Sequence, residues 1–248
     1  MTRLAPFAAL VALLAAPAAA QPPAPPAADA GYSVARVSAA PEALLAADAA
    51  PWSQAVEVAW GPEPYVTRFR ALWSEAGLFL RYEASDPEAW HTMTRRDEHL
   101  WEEEVVEIFL DKDDDGLDYY ELEISPANVV CDLRIISPPP QMKQDFPFDL
   151  AGLQTRAAVR RDAAGKATGW TATAFLPWPG LAPLPSASRV AVPPKPGDRW
   201  RFNVFRIERP GGKTAPARDA VTAAWAPTGA PSFHVPRAFR PLVFAGAR

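Results

Sequence analysis

The chain has 248 residues, a formal net charge of −4 at neutral pH, 49% hydrophobic residues and a single cysteine. That charge offers no basic face for phosphates, so nucleic acid is excluded as the expected partner. The lone thiol, Cys131, cannot close an internal disulfide, which leaves a packed core or a metal to hold the fold.

In chain order, Arg3, the apolar run 4–16 and then Ala18, Ala19 and Ala20 read as a secretory signal peptide, residues 1–20, with an A-x-A cleavage site. The run is broken by Pro6 and Pro17, and neither it nor any later stretch reaches the roughly 20 apolar residues of a membrane span. Cleavage near Ala20 predicts a secreted or periplasmic protein with no membrane span. Residues 21–30 form a Pro/Ala-rich linker with little to pack, and 31–248 form one domain.

Within that domain, helical character is confined to short pieces at 41–47 and 52–55. From residue 65 onward apolar and polar residues alternate in short runs separated by turn residues. Residues 65–75 and 77–84 form a predicted hairpin with Leu78, Leu80 and Tyr82 on one face and Phe79, Arg81 and Glu83 on the other. Residues 105–111 and 118–125 form a second hairpin around an acidic, glycine-containing turn. Strands at 129–136, 153–161, 169–178, 200–209, 220–225 and 242–244 complete the set, with prolines clustered between them. Helices between strands are absent, so the expected fold is all-β, a two-sheet antiparallel β-sandwich of jelly-roll type.

The stretch 101–126, WEEEVVEIFLDKDDDGLDYYELEISP, carries a specific pattern. A tryptophan is followed three positions on by an acid, then V-E-[IL]-F-[IL]-D, an acidic turn and paired tyrosines. The residues are Trp101, Glu104, Val106, Glu107, Ile108, Phe109, Leu110, Asp111, Tyr119 and Tyr120. This pattern resembles the family 9 carbohydrate-binding modules and their DOMON-like relatives. Pro51 and Trp52, the GW to PW strand at 169–178 and the closing W to F-H-x-P segment at 225–244 extend the resemblance over nearly the whole domain.

The resemblance implies a non-catalytic module that clamps a sugar between two aromatic rings and serves carbohydrate catabolism. A pyranose has apolar C–H faces and a polar rim, so rings supply stacking and carboxylates orient the hydroxyls. By motif position Trp101 is one side of the clamp and Phe233, with His234, the other; Glu104, Glu107 and Glu121 supply the polar contacts. Glu107 alternates with Val106 and Ile108 and therefore faces away from them. The chain departs from the pattern at two points. Phe233 stands where the sugar-binding modules place a second tryptophan, and Glu121 and Glu123 stand where they offer an arginine.

Other chemistry competes with this reading. Trp101 and Phe233 also suit plain packing positions of a sandwich. The turn Asp111, Asp113, Asp115, Gly116, with Asp118 beyond it, opens like a calcium loop, but Leu122 stands where an EF-hand needs a bidentate glutamate, so a solvated hairpin turn is the competing reading. Calcium occurs in the family, which makes a structural Ca2+ the one expected cofactor and leaves no organic cofactor expected. His91 and Met93 raise a haem-binding, electron-transfer alternative. Glu102, Glu104, Glu107 and Glu121 raise a residual hydrolase activity on O-glycosyl bonds. No G-x-S-x-G elbow is present and Cys131 has no evident activating partner. A glycan is the expected ligand and a monomer the expected state.

Overall fold

The computed structural model describes residues 31–46, 48–181, 184 and 190–246. The predicted signal peptide and linker lie outside the described residues. Thirteen strands are described, in chain order β1 (Tyr32–Arg36), β2 (Glu57–Trp60), β3 (Thr67–Trp73), β4 (Gly77–Ser85), β5 (Val105–Asp111), β6 (Tyr119–Ile124), β7 (Val130–Ser137), β8 (Lys143–Asp145), β9 (Gln154–Arg161), β10 (Ala167–Pro177), β11 (Arg199–Glu208), β12 (Val221–Ala224) and β13 (Arg240–Phe244). One helical turn, α1 (Pro41–Leu44), and short 3-10 turns are the only helical pieces among them. No described helix is long and apolar enough to cross a membrane.

The strands form an all-β sandwich whose two sheets are continuous at one corner. The first sheet runs β8-β7-β6-β5-β11-β13 and the second β1-β3-β4-β10-β9, with β12 added to β11 and β2 to β3. The join is β1. Its first half, Tyr32 to Val34, pairs with Leu242 to Phe244, and its second half, Ala35 and Arg36, pairs with Leu72 and Trp73. Both pairings are parallel, which corrects the purely antiparallel arrangement expected from the sequence. A strand that divides its few hydrogen bonds between two sheets leaves only Tyr32 and Val34 as an alternating pair, too short a signal to read in advance. β2 and β8, of four and three residues, were missed for the same reason.

Period-2 alternation sets the packing. Val106, Ile108 and Leu110 of β5 face inward with Leu78, Leu80 and Tyr82 of β4, Trp170 and Leu176 of β10, and Trp200, Phe202 and Val204 of β11. Seven of the nine tryptophans are buried; only Trp90 and Trp101 keep appreciable exposure. Trp73, Trp178, Trp200 and Phe244 meet edge-on at one end of the sandwich, with centroids 5.0 to 6.5 Å apart, and the Trp73 and Trp178 indoles donate to the carbonyls of Ala245 and Ser74. Truncating any of these rings costs about 3–5 kcal/mol. The outer face of the second sheet is covered by Leu44, Leu45 and Trp52, which pack on Leu72, Phe79 and Phe175.

The outer face of the first sheet carries a further apolar layer. Phe109, Tyr119, Cys131, Leu133 and Phe205 form it, under Leu100 and Phe239. β5 is therefore buried along its whole length. This outer layer is the floor on which the candidate site is built.

Candidate functional site

Parity along the strands places the site. Glu107 and Phe109 of β5, Glu121 and Glu123 of β6, and Ile207 of β11 all point to the outer face of the first sheet. They floor a cavity of about 400 Å³ walled by Trp101, Phe233 and His234 and rimmed by Met142, Gln144, Thr222 and Pro231. Trp101 and Phe233, 132 residues apart in sequence, thus line one hollow together with Glu107, Glu121 and His234. Neither ring is sealed between the sheets; both are partly exposed.

Each wall is braced from behind. His99, which does not line the cavity, stacks on the Trp101 indole at 4.4 Å and 20°. Arg209 donates to the Trp101 carbonyl at 3.3 Å, tying the 3-10 turn Leu100–Glu102 to the end of β11. Phe233 stacks on buried Phe205 at 4.3 Å and 18°. The His234 ring lies on Phe109 at 5.0 Å, and its Nδ1 shares a 2.9 Å hydrogen bond with the Tyr119 hydroxyl, the donor being set by the imidazole tautomer. Rings held on rings present fixed platforms, which lowers the ordering cost of stacking a ligand.

The floor is acidic without a resident base. Glu107, Glu121 and Glu123 are 2%, 4% and 0% exposed, and no lysine or arginine lines the cavity among the described residues. Burial pushes the Glu121 carboxyl up to about 7, and burial together with repulsion from neighbouring glutamates raises Glu107 and Glu123 well above the usual carboxylate range. Burial pushes His234 down to about 4, so the imidazole is neutral at physiological pH. Cys131, opposite Glu123 in the ladder, is buried with its thiol raised, which leaves it unreactive.

Glu104 does not join this site. It shares the parity of Val106 and Ile108 and is buried beside Asp86 and Glu208. There Arg206 ion-pairs with Asp86 at 3.0 Å and with Glu208, its guanidinium lying over the Trp170 ring at 4.9 Å. Glu104 is thus not brought together with the other residues expected to contact ligand. Glu123, absent from the expected site, takes its place. The signal was available, because Glu123 has the parity of Glu121 along β6.

In the acidic turn, Asp111, Asp113 and Asp115 bring oxygens within 4.8 Å of one another, but Asp118 is not part of that group. Asp111 accepts the amides of Asp113, Asp114 and Gly116 at 3.1 to 3.2 Å, so its oxygens already close the turn. Gly116 takes φ +68°, as the hairpin reading expects. Asp118 is buried and lies within electrostatic reach of Lys112. Of the haem candidates, His91 is exposed while Met93 packs against the apolar layer of the first sheet. Glu102 is exposed near His99. The glutamates of the cavity share one floor rather than standing on opposite sides of a cleft, unlike a glycosidase pair.

Residues 44–231 match the family described as carbohydrate family 9 binding domain-like, and the chain belongs to that family, one of non-catalytic binding modules. It is similar to a curated extracellular protein of Arthroderma benhamiae, with 28% identity over 181 residues, 72% of this chain and 78% of the relative. Among solved structures, a candidate carbohydrate-binding protein from Bacteroides uniformis has TM-score 0.65 and 17% identity, over 87% of this chain and 100% of that one. A family 9 carbohydrate-binding module from Caldicellulosiruptor kristjanssonii in complex with cellotriose has TM-score 0.61 and 14% identity, over 88% of this chain and 94% of its own. A glucose complex of a family 9 module from the same organism has TM-score 0.57 and 13% identity, over 87% and 96%.

Proposed function

We propose that this chain is an exported carbohydrate-binding module that holds a sugar ring between Trp101 and Phe233 and serves polysaccharide breakdown by other proteins. The observation that carries the reading is the meeting of Trp101, Phe233, Glu107, Glu121 and His234, drawn from three separate segments, around one open cavity. Apolar walls and an acidic floor match the two surfaces of a pyranose, its C–H faces and its hydroxyl rim. The cavity volume, about 400 Å³, falls in the range of pockets that hold small molecules. The neighbours solved with cellotriose and glucose make β-glucans the first ligands to try, and the extracellular relative supports export.

The test is calorimetric titration of the mature protein with glucose, cello-oligosaccharides and a wider glycan panel. Stacking that removes roughly 80 Å² of apolar area from water contributes about 2 kcal/mol. Trp101→Ala is therefore expected to weaken binding about 30-fold with an unchanged circular dichroism spectrum. Equal binding by the variant, or no glycan retained by the native protein, would end this reading. Mass spectrometry of the exported protein is expected to place its first residue at Gln21.

A further inference from the structure

The floor of the cavity poses a charge problem that the rest of the molecule solves differently. Some deeply buried acids have an arginine beside them, Arg206 for Asp86 and Glu208 and Arg96 for Asp132, with Glu104 lying against the first of these groups, while Glu103 and Asp111 accept hydrogen bonds from Thr92 and from the turn amides. Glu107, Glu121 and Glu123 have no such arginine among the described residues. Glu107 and Glu123 stand directly opposite each other in the β5/β6 ladder, an arrangement in which like charges repel. Both oxygens of Glu123 and one each of Glu107 and Glu121 are buried without a hydrogen-bond partner. An unpaired buried carboxylate is costly, so such a group takes up either a proton or a cation.

The geometry favours a cation. One oxygen from each glutamate lies within 4.8 Å of the other two. Calcium binds oxygens at about 2.3–2.6 Å, so any two of its ligands stand no more than about 5.2 Å apart, a limit these three oxygens meet. Oxygen-only donors select a hard divalent cation over zinc or copper. Three carboxylates leave part of a six- to eight-fold shell open. That open part faces the cavity, since all three residues line it.

We infer that Glu107, Glu121 and Glu123 form a calcium-type divalent cation site at the floor of the Trp101/Phe233 cavity, with its outer coordination positions completed by ligand hydroxyls. The cation site stands by itself; the hydroxyl contact rests on the sugar reading above. It is distinct from the acidic turn, where Asp111 is already occupied by three backbone amides. An ion there would turn an acidic floor into a Lewis-acidic one, suited to adjacent sugar hydroxyls.

The experiment titrates chelator-treated full-length mature protein with CaCl2 by calorimetry, and with Tb3+ read by luminescence sensitised through the nearby aromatic rings. Saturable Ca2+ binding is expected, reduced about tenfold or more in Glu121→Gln/Glu123→Gln because ligand charge sets the affinity. It is expected to persist in Asp113→Asn/Asp115→Asn. Should the double glutamate variant misfold, Glu121→Gln alone carries the same comparison. Absence of Ca2+ binding, or binding lost in the turn variant and kept in the glutamate variant, overturns the site. Glycan titrations with CaCl2 or EDTA then separate the two readings. Sugar bound equally in both buffers overturns the hydroxyl contact and leaves the module reading intact. Ca2+ bound at the glutamates with no glycan retained supports the cation site and ends the sugar reading.

Discussion

Arg206 is the side chain on which the interior electrostatics turn. It is fully buried on the core-facing side of β11, pairs with Asp86 and Glu208, and lies over Trp170. Replacing it with methionine keeps much of the stem volume and removes the charge, leaving two carboxylates without a counter-ion in a dry setting. Breaking a buried pair from one side costs about 3–5 kcal/mol. For a domain of roughly 200 residues each kcal/mol lowers Tm by about 2–4 °C, so Arg206→Met is expected to lower it by about 12 °C. Adding Asp86→Asn and Glu208→Gln removes the stranded charges and is expected to restore more than half of the loss. Thermal melts and urea titrations of the two variants at pH 7 measure both effects. A loss below about 1 kcal/mol in the single variant, or no recovery in the combined one, refutes the view that Arg206 is present to neutralise these acids.

Two further outcomes concern the walls of the cavity. His234 is held neutral, its pKa lowered from 6.5 to about 4 by burial, so it contributes stability that is fully present above pH 6.5 and lost as pH falls through about 4. Allowing for its partial exposure this amounts to about 2 kcal/mol, and urea midpoints between pH 7 and 3.5 should fall less in His234→Gln than in the native protein. Phe233→Trp enlarges the platform by roughly 40 Å², worth about 1 kcal/mol, and should tighten glycan binding about fivefold by calorimetry; weaker binding would show that the larger ring does not fit against Phe205.

The strand faces were legible because period 2 is a geometric rule. Leu78, Leu80 and Tyr82 turn inward as their spacing requires, and Glu107 points away from Val106 and Ile108. The same rule explains the place of Glu104, whose parity with Val106 sends it toward Arg206 and away from the cavity to which motif position assigns it. Trp101 and Phe233 were placed by family likeness, since no periodicity relates residues so far apart. Pairing register was beyond reach: that Glu123 faces Glu107 depends on how the turn between β5 and β6 closes, and the turn closes on the oxygens of Asp111. The parallel placement of β1 was equally hidden, because it arises from edges supplied by two distant strands.

The contrast between the two acidic groups argues for an exchangeable charge at the cavity. Inside the sandwich no solute can reach Asp86 and Glu208, so the positive partner has to be a side chain, and Arg206 supplies it. At the cavity floor the acids line a hollow open to solvent, and no basic side chain stands beside them among the described residues. If that difference is the reason for the missing base, then supplying one should make the cation unnecessary. Glu121→Arg would set a guanidinium beside Glu107 and Glu123, removing the like-charge cluster and offering fixed donors to a ligand's hydroxyls. The variant is expected to bind glycan to the same extent in CaCl2 and in EDTA, with Ca2+ affinity at the floor lost. Glycan binding that still requires Ca2+ in this variant would show that the ion sits elsewhere and that the floor's acids are neutralised by protons.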